Sequence, residues 1–345
     1  MRKNAKAYVG VDIGTTSIAA VVTDFRGKVL KTLTVPNPSA GEPTKDGLHE
    51  QDADAILRTV NALVAECEAF ARESKLKLVE IGWTGQMHGL VAVDRKLQAI
   101  TPFVTWRDKR CAPPALGSGI LEDWRRRKVR GIYRVLTIPG YVLARRTGRC
   151  LVDATFRASM GTDERLKPFA KWIPEVDDSL MLGDNQAGVY AAQKVKPGAP
   201  VVNLGTSGQL SVVRNEERGM GNDAAEARPF PGGKVLLCRA SHVGGAPLAK
   251  LRKKLGYSWQ RLNDEAESNP RIAKCVAEIV DDLGKGVDTK GVRTIVGVGN
   301  ALRLTPCLRK AVEKRFHVRC IVPEVEEMAA WGAALFVMDR QTEPD

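Results

Sequence analysis

One short pattern occurs twice in this chain and constrains its architecture more than any other feature. The segment VDIGTTSIAAVV, Val11–Val22, aligns without gaps with VNLGTSGQLSVV, Val202–Val213. Val11, Gly14, Thr15, Val21 and Val22 recur as Val202, Gly205, Thr206, Val212 and Val213. Each copy reads as a strand, a turn rich in glycine and hydroxyls, and a second strand. Two unrelated hairpins could share this by chance. A duplicated domain accounts for the matched positions, and internal repetition is weighed before other fold assignments. The 345 residues, 43% of them hydrophobic, suffice for two cores.

The remaining pattern suits an α/β chain. Lys28–Val35 continues the first hairpin. Asp52 is placed to cap a helix whose apolar positions are Ile56, Leu57, Val60, Leu63, Val64 and Cys67. Leu78–Trp83 and Leu90–Asp94 read as strands, with helical pieces near Ile120–Val135 and Tyr141–Thr147 and another starting at Asp184. In the second half Pro200–Leu204, Gln209–Val213, Lys234–Arg239 and Thr294–Val298 read as strands. Ile272, Val276, Ile279, Val280 and Leu283 have helical spacing, Thr305-Pro306 opens a helix, and the last helix covers roughly Glu326–Met338. This order predicts two α/β domains, over residues 1–192 and 193–345.

The turns suggest the chemistry. A tight glycine turn exposes backbone N–H groups, and Thr15, Thr16 and Ser17 beside Gly14 add hydroxyl donors, a set that can wrap a phosphate. Asp12 adds a carboxylate of the kind Mg²⁺ takes while keeping its waters. Gly205, Thr206 and Ser207 offer the same donors without the carboxylate, since Asn203 stands in place of Asp12. Either turn alone is an ordinary hairpin; in matched positions they fit one triphosphate held by two halves. No G-x-x-x-x-G-K-[ST] motif occurs, and Gly297-Val298-Gly299 lacks the third glycine of a dinucleotide fingerprint. Asp184, in GDNQAG, sits at a strand-to-helix junction, where it either caps the helix or projects into a cleft as a general base. Gln86, Met87 and His88, flanked by glycines, form a polar turn or meet a polyol. Trp106 beside Asp108 and Arg110 is either core with a surface ion pair or a wall for a sugar's apolar face.

Composition excludes several other classes. Seven scattered cysteines, none in a C-x-x-C pair, argue against a disulfide framework or a zinc knuckle and suit buried thiols. Asp12 interrupts the apolar run after the basic start, so that stretch reads as a strand and not a signal peptide, and a cytoplasmic, non-membrane protein is expected. The net charge of +13 gathers between Arg125 and Arg149. Little aromatic interleaving and no nucleic-acid motif accompany it, so a solvated basic face or anion steering is expected over nucleic-acid binding. A homodimer is allowed but not specified.

The order GVDIGTTS, GQMHG, VTWRDKR, GDNQAG, LGTSG and GVGNAL resembles the FGGY carbohydrate kinases, members of the actin/hexokinase/Hsp70-like ATPase superfamily. VTWRDKRC, TSGQL and GVGNALRLTPCLRKAVEKRF are most similar to its sedoheptulokinases. The resemblance implies two ribonuclease H-like domains with a cleft between them and ATP-dependent phosphorylation of a sugar's terminal hydroxyl. Sedoheptulose is the first expectation, with xylulose, another ketose or polyol, or a non-catalytic relative as alternatives. It implies that Asp12 helps hold Mg²⁺, and that Gly14, Thr15, Thr16 and Ser17, with Gly205, Thr206 and Ser207, face the phosphates of ATP. Gly297, Gly299 and Asn300 would border adenosine, with Ala329 and Gly332 letting the last helix approach the base. Gln86, Met87, His88, Trp106, Asp108, Arg110 and Asn185 would line the sugar, with Asp184 as general base. The chain departs from the family by being shorter, between Arg110 and Pro139 and again between Leu255 and Val292.

Overall fold

Strand β1 (Ala5–Ile13) turns at residues 14–17 into antiparallel β2 (Ser17–Asp24), which pairs with β3 (Val29–Pro36). Helix α1 (Ala53–Glu73), capped by Asp52 through the N–H groups of Asp54 and Ala55, returns the chain to β4 (Leu76–Gly85), parallel to β1. The sheet order is β3-β2-β1-β4. A computed structural model describes residues 5–110, 116–205, 208–215, 225–241, 243–285 and 291–341. The expected phosphate ligands Thr206 and Ser207 lie outside these.

Beyond β4, helix α2 (Ile138–Thr147) packs onto the same core, α3 (Ala154–Met160) follows, and α4 (Asp184–Val195) ends the first half. The second sheet is built from β5 (Val201–Leu204), β6 (Gly208–Arg214), β7 (Glu226–Phe230), β8 (Lys234–Ser241), β9 (Thr294–Val298) and β10 (Arg319–Ile321), in the order β7-β8-β6-β5-β9-β10. Helices α5 (Ala246–Leu255), α6 (Pro270–Leu283) and α7 (Pro306–Phe316) supply apolar side chains to its core. Helix α8 (Met328–Arg340) closes the chain.

The repeat folds as a repeat. In each sheet the first strand of the hairpin has an antiparallel neighbour on one side and a parallel one on the other: β2 and β4 for β1, β6 and β9 for β5. The gap-free alignment fails at the turn. Ile13 pairs with Ile18 across residues 14–17, whereas Leu204 pairs with Gly208 across 205–207. Side chains alternate between faces, so the shorter second turn shifts the partner by one. Leu210 faces Val202 as Ala20 faces Val11.

Two units emerge, one of residues 1–191 with 327–345 and the other of residues 192–326. The last helix therefore belongs with the first unit, not with 193–345 as the sequence order suggested. Its small residues explain why. Along β1, Ala7, Val9, Val11 and Ile13 face α1, while Tyr8 and Gly10 face α8. A Cβ on Gly10 would lie 1.8 Å from the Ala330 carbonyl oxygen, one on Gly82 2.1 Å from that of Ala333, and one on Gly332 1.8 Å from that of Ala187. Only glycine permits these approaches. With both faces of the sheet covered, β1 and β2 read as almost unbroken apolar runs.

Other departures are local. The helix expected over 120–135 spans Leu116–Arg126, because Lys128 and Gly131 take left-handed conformations (φ 55° and 81°) that end it. The chain then forms the short strand Arg134–Leu136 against Val91–Val93. Many arginines of the basic segment are paired within the chain: Arg125 with Glu122, Arg126 and Arg127 with Asp123, Arg145 with Asp54, and Arg149 with Asp177. Among the described residues no helix is long and apolar enough to cross a membrane, and the described cysteines are free.

Gly10→Ala and Gly332→Ala should each lower stability by about 1–3 kcal/mol or more through overpacking. Gly188→Ala, on α4 with open space at its Cβ position, should be neutral or stabilising by up to about 1 kcal/mol. Urea unfolding of the three variants checks the contrast.

Candidate functional site

The C-terminal ends of β1 and β4 lie side by side, Asp12 opposite Thr84 and Ile13 opposite Gly85. This is where open α/β sheets place ligands. The turn after β1 is held from two directions. Buried Asn37 donates from Nδ2 to the Gly14 carbonyl (2.9 Å) and from its backbone N–H to that of Thr16 (2.9 Å). On the other side the Gln86 N–H donates to the Ile13 carbonyl (3.0 Å), so the GQMHG loop starts against the turn.

A ring of side chains ties the two together. The Thr15 hydroxyl donates to Gln86 Oε1 (3.1 Å), Gln86 Nε2 donates to Gln51 Oε1 (2.8 Å), and Gln51 Nε2 donates to the Thr15 carbonyl (2.9 Å). The indole Nε1–H of Trp106 donates to Thr15 Oγ1 (2.9 Å) while the residue stays 51% exposed. Trp106 is thus an exposed aromatic and not a core residue. Its neighbours differ. Asp108 is buried and accepts from Arg110 Nε, Nη2 and N–H (2.9 Å each) and from the His49 N–H (2.7 Å). Burial alone would raise the Asp108 carboxyl, but Arg110 and these N–H groups outweigh it and hold it below the usual carboxylate range. Arg110 also pairs with Glu50. Asp108 and Arg110 therefore brace the stretch that presents Trp106.

Asp184 arrives by a separate route. Residues 180–182 pair with Trp83 of β4: the Trp83 N–H donates to the Leu180 carbonyl (2.8 Å) and the Leu182 N–H to the Trp83 carbonyl (3.1 Å). This carries Asp184, at the start of α4, to the same end of the sheet as Asp12. Gly183 is fixed by its N–H donating to Thr155 Oγ1 (2.7 Å), and the Thr155 hydroxyl donates to Asp153 (2.6 Å), the cap of α3. Met87 is buried against Gly183, and His88, left-handed at φ 65°, reaches Ser159 of α3 with its N–H (3.4 Å) and Nδ1 (3.2 Å). Gln51, Asn37, Asp153, Thr155 and Ser159 are not among the residues the sequence motifs single out; the one signal that could have found any of them is Asp153 as a helix cap before Ala154–Met160.

The carboxylates interact. Burial, then Asp184 and then Glu327 at the start of α8 push the Asp12 carboxyl up to about 8. Asp12 Oδ1 is buried with no hydrogen-bond partner, an oxygen that a cation would satisfy. Among the described residues no three His, Cys, Asp or Glu side chains cluster to hold a metal alone. Mg²⁺ beside a triphosphate needs only one or two carboxylates, so Asp12 fits it.

In the second unit, Gly205, Gly245 and Gly299 converge. The Gly245 N–H donates to the Gly205 carbonyl (2.8 Å), and Gly299, at φ 91°, leaves no room for a Cβ, which would lie 2.5 Å from the Leu204 carbonyl oxygen. Gly297 lies within β9, a Cβ there falling 2.7 Å from Cys320 Sγ, and exposed Asn300 starts the short helix Asn300–Leu304. Ala329 and Gly332 lie on α8 in the first unit, with Gly332 against α4.

Residues 7–146 match the N-terminal domain of the FGGY family of carbohydrate kinases. Two curated relatives are similar over about a third of the chain. Xylulose kinase of Bacillus subtilis (strain 168) is 30% identical over 112 residues, 32% of this chain and 22% of that protein. Xylulose kinase of Klebsiella pneumoniae is 34% identical over 110 residues, 30% of this chain and 21% of that protein. The matched stretch thus spans about a fifth of either relative. The crystal structure of gluconate kinase from Lactobacillus acidophilus superposes with a TM-score of 0.82, at 16% identity, over 99% of this chain and 91% of that one. The chain has this two-domain α/β fold of the FGGY carbohydrate kinases, the actin-like ATPase fold.

Burial pushes the Asp153 carboxyl up to about 7, against the pull of Thr155 and the N–H groups of Thr155 and Phe156. Between about pH 4 and 7 the folded chain then holds a proton the unfolded chain has lost, so stability falls as pH rises through this window. Asp153→Asn should shrink the difference in urea midpoint between pH 5 and pH 7.5; Asp12, also raised, contributes in the same direction and is untouched by the substitution.

Proposed function

We propose that this chain is an ATP-dependent carbohydrate kinase that phosphorylates a terminal hydroxyl of a small sugar. The observation that carries the reading is the gathering of a glycine-hydroxyl turn, an exposed tryptophan and two mutually repelling carboxylates, Asp12 and Asp184, at one end of the first sheet. The FGGY match over residues 7–146 supports it.

In this reading Asp184 accepts the proton of the acceptor hydroxyl. That oxygen attacks the γ-phosphorus in line, the bond to the β,γ-bridging oxygen breaks, and ADP leaves. Backbone N–H groups of the Gly14–Ser17 turn stabilise the phosphoryl charge, already aimed before the substrate arrives. Mg²⁺, when bound at Asp12, supplies charge neutralisation. Trp106 covers the apolar face of the sugar, and Met87 and His88 shape the floor beside Gly183. Gly297, Gly299 and Asn300 serve adenosine in the second unit.

For the acceptor, the xylulose kinases among the relatives favour a ketose of xylulose size. Sedoheptulose, suggested by the sequence around VTWRDKRC and TSGQL, is the longer ketose of the same class, and gluconate represents the acids. A coupled ADP-release assay over xylulose, sedoheptulose, ribulose, glycerol and gluconate tests the reading, which fails if no acceptor stimulates turnover. Asp184→Asn should lower kcat by about 10²- to 10⁴-fold, the usual contribution of a positioned base, with nucleotide affinity retained by calorimetry. Retained turnover would remove Asp184 as the base.

A further inference from the structure

Gln51 lies outside every motif that points to the site, yet it is buried at the centre of the hydrogen-bond ring. The ring admits one arrangement of protons. At one end the Thr15 carbonyl can only accept, so Gln51 must present Nε2 to it. Gln51 Oε1 then faces Gln86, which must present Nε2 in turn. This leaves Gln86 Oε1 toward Thr15, whose single hydroxyl proton goes there. At the other end the Trp106 indole can only donate, and it meets the lone pairs that this leaves on Thr15 Oγ1. An acceptor-only group and a donor-only group thus fix the same polarity from opposite ends.

We propose that Gln51 is a positioning residue for acceptor recognition, acting through Gln86 and Thr15 to set the orientation of the Trp106 indole. Trp106 is exposed, and its one polar group is held by this relay. The Thr15 hydroxyl proton is committed to Gln86, so the turn offers backbone N–H groups to a phosphate while Thr15 Oγ1 serves the indole. The Trp106 indole is thereby tied to the turn by hydrogen bonds. The inference rests on the sugar-kinase reading for its kinetic consequence, but its structural part does not.

The test separates the two. The chain has six tryptophans, and Trp106→Phe assigns the indole N–H resonance of Trp106. Gln51→Met, similar in length and without the amide, should shift that resonance while the other indole signals stay in place. Thr15→Val should do the same and Thr15→Ser should restore it, which keeps the idea testable if Gln51→Met does not fold. An unmoved Trp106 signal in folded Gln51→Met or Thr15→Val overturns the inference, whether or not any sugar is phosphorylated. With an active acceptor, Gln51→Met should raise the sugar KM about five- to tenfold, as loss of one ordered hydrogen bond does, with little change in the KM for ATP. In a Trp106→Phe background the same substitution should have a much smaller effect on the sugar KM. Equal effects in both backgrounds would also defeat it.

Discussion

The first unit depends on a contact that at its closest points is backbone against backbone. Helix α8 lies directly on the backbone of β1 and β4, close enough that Gly10 and Gly82 have no space for a methyl group, and Gly332 brings the same helix equally close to Ala187 of α4. Dense contact of this kind gains dispersion energy and leaves no voids. It also fixes β1 laterally, between β2 and β4 and between α1 and α8. The candidate site of the first unit hangs on the end of that strand: Asp12, the glycine turn, and next to them the Gln86 loop. The same helix begins at Glu327, whose carboxylate helps to raise Asp12 and accepts the Thr34 hydroxyl (2.8 Å). The glycine contact therefore also sets the electrostatics of the site.

Around that fixed strand the site is assembled from segments distant in sequence, each delivered by a different device. A parallel neighbour brings Gln86, a β-bridge to Trp83 brings Asp184, and a braced turn brings Trp106. Asp153 and Thr155 lock the approach to Asp184 through the Gly183 N–H. Asp153, Thr155 and Gln86 are buried and hydrogen-bonded, the kind of supporting order that holds a site's side chains in place.

Much of this was legible in the sequence, and the illegible part has physical causes. The repeat disclosed two related sheets because strand-turn-strand patterning survives at the residues that pack and turn. It could not disclose the one-residue difference between the turns, since a gap-free alignment fits equally well until pairing partners are known. Trp106 and Asp184 were marked by residue type and neighbours. Gln51 was not, because a glutamine between a loop and a helix carries no local signal; its importance comes from Thr15 and Gln86, 36 and 35 positions away. The place of α8 was hidden for the same reason. Small residues such as Gly332 and Ala333 announce close packing, not the partner, and chain order pointed to the nearer domain. The basic run from Arg125 to Arg149 shows its charges in the sequence but not their partners: acids spread from Asp54 to Asp177 pair with several of these arginines only in the folded chain.

The position of α8 also bears on how such a chain is made. The first unit is interrupted in sequence by the whole of the second, and its sheet is covered on one face only when residues 328–340 have been synthesised. A nascent chain leaving the ribosome therefore carries an uncapped apolar groove along Tyr8, Gly10 and Gly82 while residues 192–326 are translated. Domains usually fold as they emerge; here the last helix of the earlier unit is translated only after the whole of the later one.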